Sequence, residues 1–300
     1  MGTTVHYSAC PVCASVDIRN VMDVKDNSVS GEMFKVAECG QCALRFTQDV
    51  PSESAIGRYY KSEDYISHSN TSKGIINRIY QLVRKRTMAS KRQLVERMTG
   101  RNKGKMLDLG SGIGSFVNEM RQHGWEARGL EPDPGARANA KEQYSIELED
   151  TGAFKTLIPG SFDAVTMWHV LEHVHDLHGY IKQLRTIIRE DGKLLIAVPN
   201  YTSADANVYG EFWAAYDVPR HLYHFSPKSI QVLMEKNDMK VDRYVPMWYD
   251  PFYISLLSSK YRNGRTNWLG AGWNAARSTM KAMGDRRRSS SIIYVCSKRN

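Results

Sequence analysis

The chain has 300 residues, 42% of them hydrophobic, enough for one large core plus a small appended module. No apolar run approaches the roughly 18 residues that span a bilayer, and residues 1–20 lack the basic start and apolar middle of a secretory signal, so a cytoplasmic protein is expected. The formal charge of +9 is concentrated in residues 73–105, so it speaks for a local anionic partner rather than a uniformly basic surface.

In chain order, Cys10-Pro11-Val12-Cys13 and Cys39-Gly40-Gln41-Cys42 come first, two C-x-x-C pairs with 25 residues between them. Four thiolates at that spacing suit a tetrahedral Zn²⁺ site, and a reducing cytosol disfavours disulfides. Cysteine fills all four positions, so the metal is expected to be structural. It would supply folding energy to a ribbon over residues 1–55, a stretch too short to bury much core. Cys296, in the apolar run 292–296, reads as a small core residue of a last strand.

Residues 56–104 open with Arg58-Tyr59-Tyr60-Lys61 and continue as a helical pattern through Ile75, Ile79, Leu82, Leu94 and Met98, a basic linker or lid. Between residues 73 and 105, eleven basic side chains face the single acid Glu96. Such a helix attracts an anionic membrane surface, a phosphorylated substrate or nucleic acid; the plain alternative is a solvated face. Aromatics are not interleaved with the basic run, which weighs against nucleic acid.

The core then begins with Met106-Leu107-Asp108-Leu109-Gly110-Ser111-Gly112-Ile113-Gly114. Residues 106–109 suit a short buried parallel strand, and the glycines allow a tight turn that brings bare backbone against a ligand. Phe116, Val117 and Met120 recur at helical spacing until Gly124, and residues 125–130 make a second strand ending on Glu131, seventeen residues after Gly114. A carboxylate at that tip is where an α/β nucleotide fold holds ribose hydroxyls. Dinucleotide folds use G-x-G-x-x-G here, but position 115 is Ser115 and Asp108 stands two residues before the first glycine. An acid there repels a pyrophosphate and attracts the ammonium and sulfonium of S-adenosylmethionine.

Strand and helix patterns then alternate as a doubly wound sheet requires. Asp133-Pro134 caps a helix, residues 145–148 form a short third strand, 162–167 a fourth, 176–189 a helix and 193–198 a fifth strand. Ser226-Pro227 starts another helix, and 239–245 and 291–297 are the last strands. The fold class expected is α/β, a Rossmann-like seven-stranded sheet over residues 105–300. An aromatic-rich insertion at 249–288 reads as part of an acceptor pocket, or else as a packing elaboration or dimer contact.

On Asp108, Gly110, Ser111, Gly112, Gly114, Glu131-Pro132-Asp133, Phe162-Asp163-Ala164-Val165 and residues 192–200, the chain resembles the class I S-adenosylmethionine-dependent methyltransferases over most of residues 105–300. The likeness narrows to bacterial members with an N-terminal zinc ribbon, through the cysteine pairs, Tyr59-Tyr60, Tyr65-Ile66-Ser67-His68 and the run from Pro219 to Pro227. That resemblance implies O-methylation of a sugar hydroxyl on a nucleotide-linked or lipid-linked, anionic glycan in polysaccharide biosynthesis. Sugar C-methyltransferases share the ribbon, but this chain lacks room for their additional C-terminal domain.

Two motifs carry the chemistry. His169-Val170-Leu171-Glu172-His173 fits H-x-x-E-H, a zinc-hydrolase pattern. Directly after a strand, however, Trp168 and His169 read better as walls of the cofactor site, with Glu172 and His173 facing the pocket or pairing with each other, and His175 and His178 on the surface. Asp217-Val218-Pro219-Arg220-His221-Leu222-Tyr223-His224 is the other. Methyl transfer to a hydroxyl needs alignment, exclusion of water and removal of one proton, and a neutral imidazole accepts that proton. His221 is the first choice for the base, followed by His224 and His173, with Arg220 orienting an anionic group.

No pair of carboxylates stands where Mg²⁺ would sit, so metal-independent chemistry is expected. Two other classes compete. An RNA or DNA methyltransferase would explain the ribbon and the basic helix, yet Met167-Trp168-His169-Val170 is not the Asn/Asp-Pro-Pro-aromatic motif used on exocyclic amines. A non-catalytic scaffold would keep the fold and bind no S-adenosylmethionine.

Overall fold

The computed structural model describes residues 4–60 and 75–299, with residues 75–85 as backbone. Five short strands come first: β1 (Thr4–Val5), β2 (Ile18–Lys25), β3 (Met33–Cys39), β4 (Arg45–Thr47) and β5 (Val50–Pro51). The long helix α1 (Ile75–Thr99) leads into β6 (Lys105–Leu109), α2 (Ser115–Gln122), β7 (Glu126–Leu130), α3 (Pro134–Tyr144), β8 (Phe162–Trp168), α4 (Leu177–Ile187) and β9 (Ile188–Pro199). After these come α5 (Ala204–Tyr209), β10 (Tyr223–His224), α6 (Pro227–Glu235), β11 (Met239–Pro246), α7 (Asp250–Asn263), α8 (Trp268–Gly284) and β12 (Ser291–Lys298). Tyr65, Ile66, Ser67 and His68 lie outside the described residues.

The central sheet has the order β11-β12-β9-β8-β6-β7, its last four strands parallel and β11 and β12 antiparallel. Along each strand, alternate side chains enter two different apolar clusters. Leu107, Val165, Leu194 and Tyr294 join one, with Leu184 of α4 and Leu233 of α6. Met106, Ala164, Leu195 and Val295 join the other, with Leu94 of α1 and Val117 of α2. Both faces are covered by helices, so residues 194–198 of β9 and 292–296 of β12 run apolar and buried without alternating with polar residues.

The sheet has six strands, not the expected seven. Ser145 is taken into the left-handed cap of α3 (φ 56°), and the short stretch after it contributes only the single bridge between Leu130 and Glu149. Caps at the other helices agree with the local signals. Asp133 and Asp176 accept from backbone amides three residues on, and Ser226 and Ser229 close a capping box with Pro227 in the first turn of α6.

The N-terminal strands build a second sheet of order β10-β4-β3-β2, whose edge strand β10 comes from the distant Tyr223-His224. Cys10, Val12, Cys39, Cys42 and Leu44 share the apolar cluster of α4 and α6, so the ribbon packs directly on the larger sheet. His175 and His178, expected on the surface, are half-buried, because each donates through Nε2 to a ribbon carbonyl, Pro51 and Val12 respectively. The insertion is a pair of packed helices, α7 and α8, and of its six expected pocket aromatics only Tyr261 is not exposed. Among the described residues, no helix is long and apolar enough to cross a membrane.

Candidate functional site

The glycine turn comes directly after β6 at the carboxyl edge of the sheet, beside β7 and β8. Gly110 has φ +67°, and a Cβ there would lie 2.4 Å from Val170 Cγ2; Gly112 has φ +54° with open space above it. No side chain is tolerated at the first position, and bare backbone faces the crevice at the second. Glu131, at the tip of β7, reaches back over this turn and accepts from the amides of Gly112 (2.7 Å) and Asp133 (3.0 Å), while Pro132 is exposed beside it. Gly114 and Ser111 complete the turn, with Ser111 Oγ donating to the carbonyl of Asp108.

Asp108 is buried and accepts a 2.6 Å hydrogen bond from Thr166 Oγ1. Burial pushes its pKa up to about 6, against the pull of that hydroxyl and of Lys91. Lys91 comes from α1 and holds Nζ 4.2 Å from the centre of the Trp168 ring, which itself meets Phe116 edge-on. The acids and the open glycine backbone suit a ligand carrying a ribose and a positive charge, and the Trp168 face that now holds the Lys91 ammonium is one on which a cation can rest. Asp108, Glu131 and the glycines fit S-adenosylmethionine.

Immediately after β8, His169 adopts the left-handed φ of +58°, an uncommon conformation for a residue with a Cβ. Its Nδ1 lies 3.4 Å from Glu172 and its Nε2 3.2 Å from Asp250 of α7. Burial opposes a charge here, but the two carboxylates overcome it and raise the His169 pKa to about 10. Glu172 is completely buried, and no donor reaches either oxygen with hydrogen-bond geometry. It pairs with His169, His221 Nε2 stands 4.0 Å away, and His173 belongs to the same cluster.

His173 and His221 meet edge to face, with ring centres 4.7 Å apart. His221 Nδ1 donates to the Ala215 carbonyl (2.8 Å) and His173 Nδ1 to the Arg220 carbonyl (2.9 Å), so in each ring Nε2 is the nitrogen left to face a ligand. Burial lowers the His173 pKa to about 4, so that ring is neutral at physiological pH. Glu172, His173 and His221 bring ligand atoms within 4.8 Å of one another and could hold a divalent cation.

Two expectations from the sequence move. His224 is turned into the ribbon sheet, where Nε2 meets Thr47 Oγ1 at 3.1 Å and the ring packs on Tyr216; burial holds its pKa well below the ordinary value. Arg220 is 1% exposed and satisfied by Asp26, Asp217 and the Tyr59 carbonyl, so it cannot reach an acceptor. Sequence reasoning missed Lys91 and Asp250. Lys91 is one of eleven similar charges in its run, and Asp250 reads as an ordinary first-turn acid before a proline.

At the ribbon, Cys10 and Cys42 have their Sγ atoms 3.5 Å apart, as do Cys13 and Cys39, and all four sulfurs lie within 4.8 Å of one another. None of the cysteines forms a disulfide. Zn–S bonds of about 2.3 Å imply tetrahedron edges of about 3.8 Å, so four thiolates so arranged can enclose Zn²⁺.

A family model described as "Methyltransferase domain" matches residues 80–244, more than half of the chain and all of the glycine turn, Glu131 and the histidine cluster. The chain is a class I S-adenosylmethionine-dependent methyltransferase. The methyltransferase is 26% identical over 164 residues to a ubiquinone biosynthesis O-methyltransferase of Xanthomonas oryzae pv. oryzae, covering 49% of this chain and 67% of that one. It is 28% identical over 165 residues to the mitochondrial ubiquinone biosynthesis O-methyltransferase of Bos taurus, covering 49% and 44%. Among solved structures, a geranyl diphosphate C-methyltransferase from Streptomyces coelicolor aligns with a TM-score of 0.49 at 14% identity, over 80% of this chain and 88% of that one.

Proposed function

We propose that the methyltransferase transfers a methyl group to a hydroxyl of a small acceptor, with His221 taking the hydroxyl proton. The observation that carries this reading is that His221, its Nδ1 held by the Ala215 carbonyl, sets Nε2 4.0 Å from the buried Glu172 carboxylate and 3.9 Å from that of Asp217. When bound, the cofactor supplies an electrophilic methyl on a sulfonium. The chain's own residues do the rest. The Ala215 carbonyl fixes the tautomer of His221, Glu172 stabilises the imidazolium that forms, and His173 packs edge-on against His221 as a neutral ring.

The finer reading keeps a sugar hydroxyl on a nucleotide-linked or lipid-linked glycan, supported by the likeness to zinc-ribbon methyltransferases. A phenolic hydroxyl of a quinone precursor is the second reading, favoured by the names of the curated relatives. Isotope-labelled cofactor offered with nucleotide sugars, lipid-linked oligosaccharides and polyprenylated phenols separates the two by which product carries the label. His221→Ala is expected to lower kcat about 10²–10⁴-fold, the usual worth of a general base, while calorimetric cofactor affinity stays within about twofold. An unchanged kcat removes His221 from the reaction. Activity lost to a chelator while the ribbon keeps its zinc would instead assign Glu172, His173 and His221 to a metal ion. Zn²⁺ at Cys10, Cys13, Cys39 and Cys42 is proposed as structural.

A further inference from the structure

Helix α8 has two opposed faces. Ala271, Ala275, Ser278 and Ala282 are buried, and α8 packs against α7. Leu269, Trp273, Met280 and Met283 are exposed, at 89%, 68%, 53% and 65%. At 3.6 residues per turn these four fall within about 80° of arc, diametrically across from the small residues. Trp268 (71% exposed) and, at the start of α7, Phe252 and Tyr253 add further uncovered aromatic surface to the same helical pair. An apolar stripe left uncovered on a folded domain marks something that binds there.

The flanks decide what. Residues 248–288 hold eight basic side chains and two acids, and both acids are engaged, Asp250 by His169 and Asp285 by Arg287. Among the described residues, Lys260, Arg265, Arg277, Lys281, Arg286 and Arg288 form no salt bridge. A second copy docked by a two-fold axis would set this basic rim against itself, which like charges oppose. An anionic bilayer neutralises it and takes up the indole and thioether side chains at the level of its headgroups. Lying in the interface, rather than spanning it, also agrees with the small, packed inner face of α8.

We propose that the α7–α8 pair is a docking surface for an anionic lipid bilayer, entered through Leu269, Trp273, Met280 and Met283. Asp250, the first residue of α7, is ion-paired to His169, which ties the helical pair directly to the candidate site. Bilayer binding itself does not depend on which hydroxyl is methylated.

The test is co-sedimentation of the full, zinc-replete chain with vesicles of phosphatidylcholine alone and of phosphatidylcholine with phosphatidylglycerol, with no acceptor present. Binding to the anionic vesicles is expected to exceed that to neutral ones at least ~10-fold and to weaken with salt. Leu269→Glu/Trp273→Glu is expected to lower it ~10-fold or more, with cofactor binding by calorimetry unchanged as proof of fold. Undiminished binding by that double variant would overturn the proposal. So would a wild-type dimer, seen by sedimentation, that the variant dissolves while neither protein binds vesicles. Because neither readout involves turnover, failure here leaves the hydroxyl-methylation reading to its own test.

Discussion

His169 concentrates the electrostatics of the crevice. Its pKa is pushed from 6.5 up to about 10 by Asp250 and Glu172, so the folded chain holds this proton more tightly than the unfolded one. The stabilisation is therefore complete below pH 6.5 and is lost as pH rises through about 10. Asp250→Asn removes one carboxylate and is expected to flatten that decline. Urea midpoints that fall equally in wild type and variant across this window would contradict it. The glycine turn and the reach of Glu131 over it were legible residue by residue, since they are tied by a local strand-turn-helix spacing. Arg220 and His224 were not, because their partners, Asp26 and Thr47, lie 194 and 177 positions away and no local pattern records them. Glu172 fell between: its segment was visible, but its burial among three histidines was not.

At the scale of elements, what the sequence encodes within a few residues came through. The caps at Asp133 and Ser226 and the apolar runs of the central sheet arise from neighbouring side chains alone. The short run 145–148 failed because the cap of the preceding helix consumed its first residue, leaving too little chain for a ladder. Strand β10, two residues long, has no periodicity to read and exists only by pairing with β4. That pairing makes the tetracysteine site matter beyond the ribbon. In S₄ sites, metal binding of on the order of 10 kcal/mol is also folding free energy. Stripping zinc with a strong chelator, or Cys39→Ser, is expected to lower the thermal midpoint sharply and to abolish turnover as β10 loses its neighbour. An equal midpoint for zinc-free and zinc-loaded protein would show that the cysteines hold nothing.

For the whole molecule, the ribbon and the large sheet share one apolar cluster, and polar ties cross between them at His175, His178 and Arg220. Parts so joined melt together, so calorimetry is expected to give one transition whose van't Hoff and calorimetric enthalpies agree. Two separate peaks would mean that the contacts across the boundary are too weak to couple the halves. The basic helix also looks different in three dimensions. Lys91 is turned over Trp168, Arg92 spans Glu96 and Glu119, Arg101 bridges Asp163 and Asp191, and Lys105 meets Glu126, so part of its charge serves internal packing.

The contribution of Tyr223-His224 to the ribbon sheet bears on any attempt to dissect the protein. Cutting away the first 55 residues would not release a trimmed catalyst. It would strip β10 of its hydrogen-bonding mate two positions after His221, leaving the amides of that stretch as a raw margin on which another chain can nucleate. The N-terminal module is in this sense a splint for the histidine loop, and a shortened version would be expected to clump before it could be assayed.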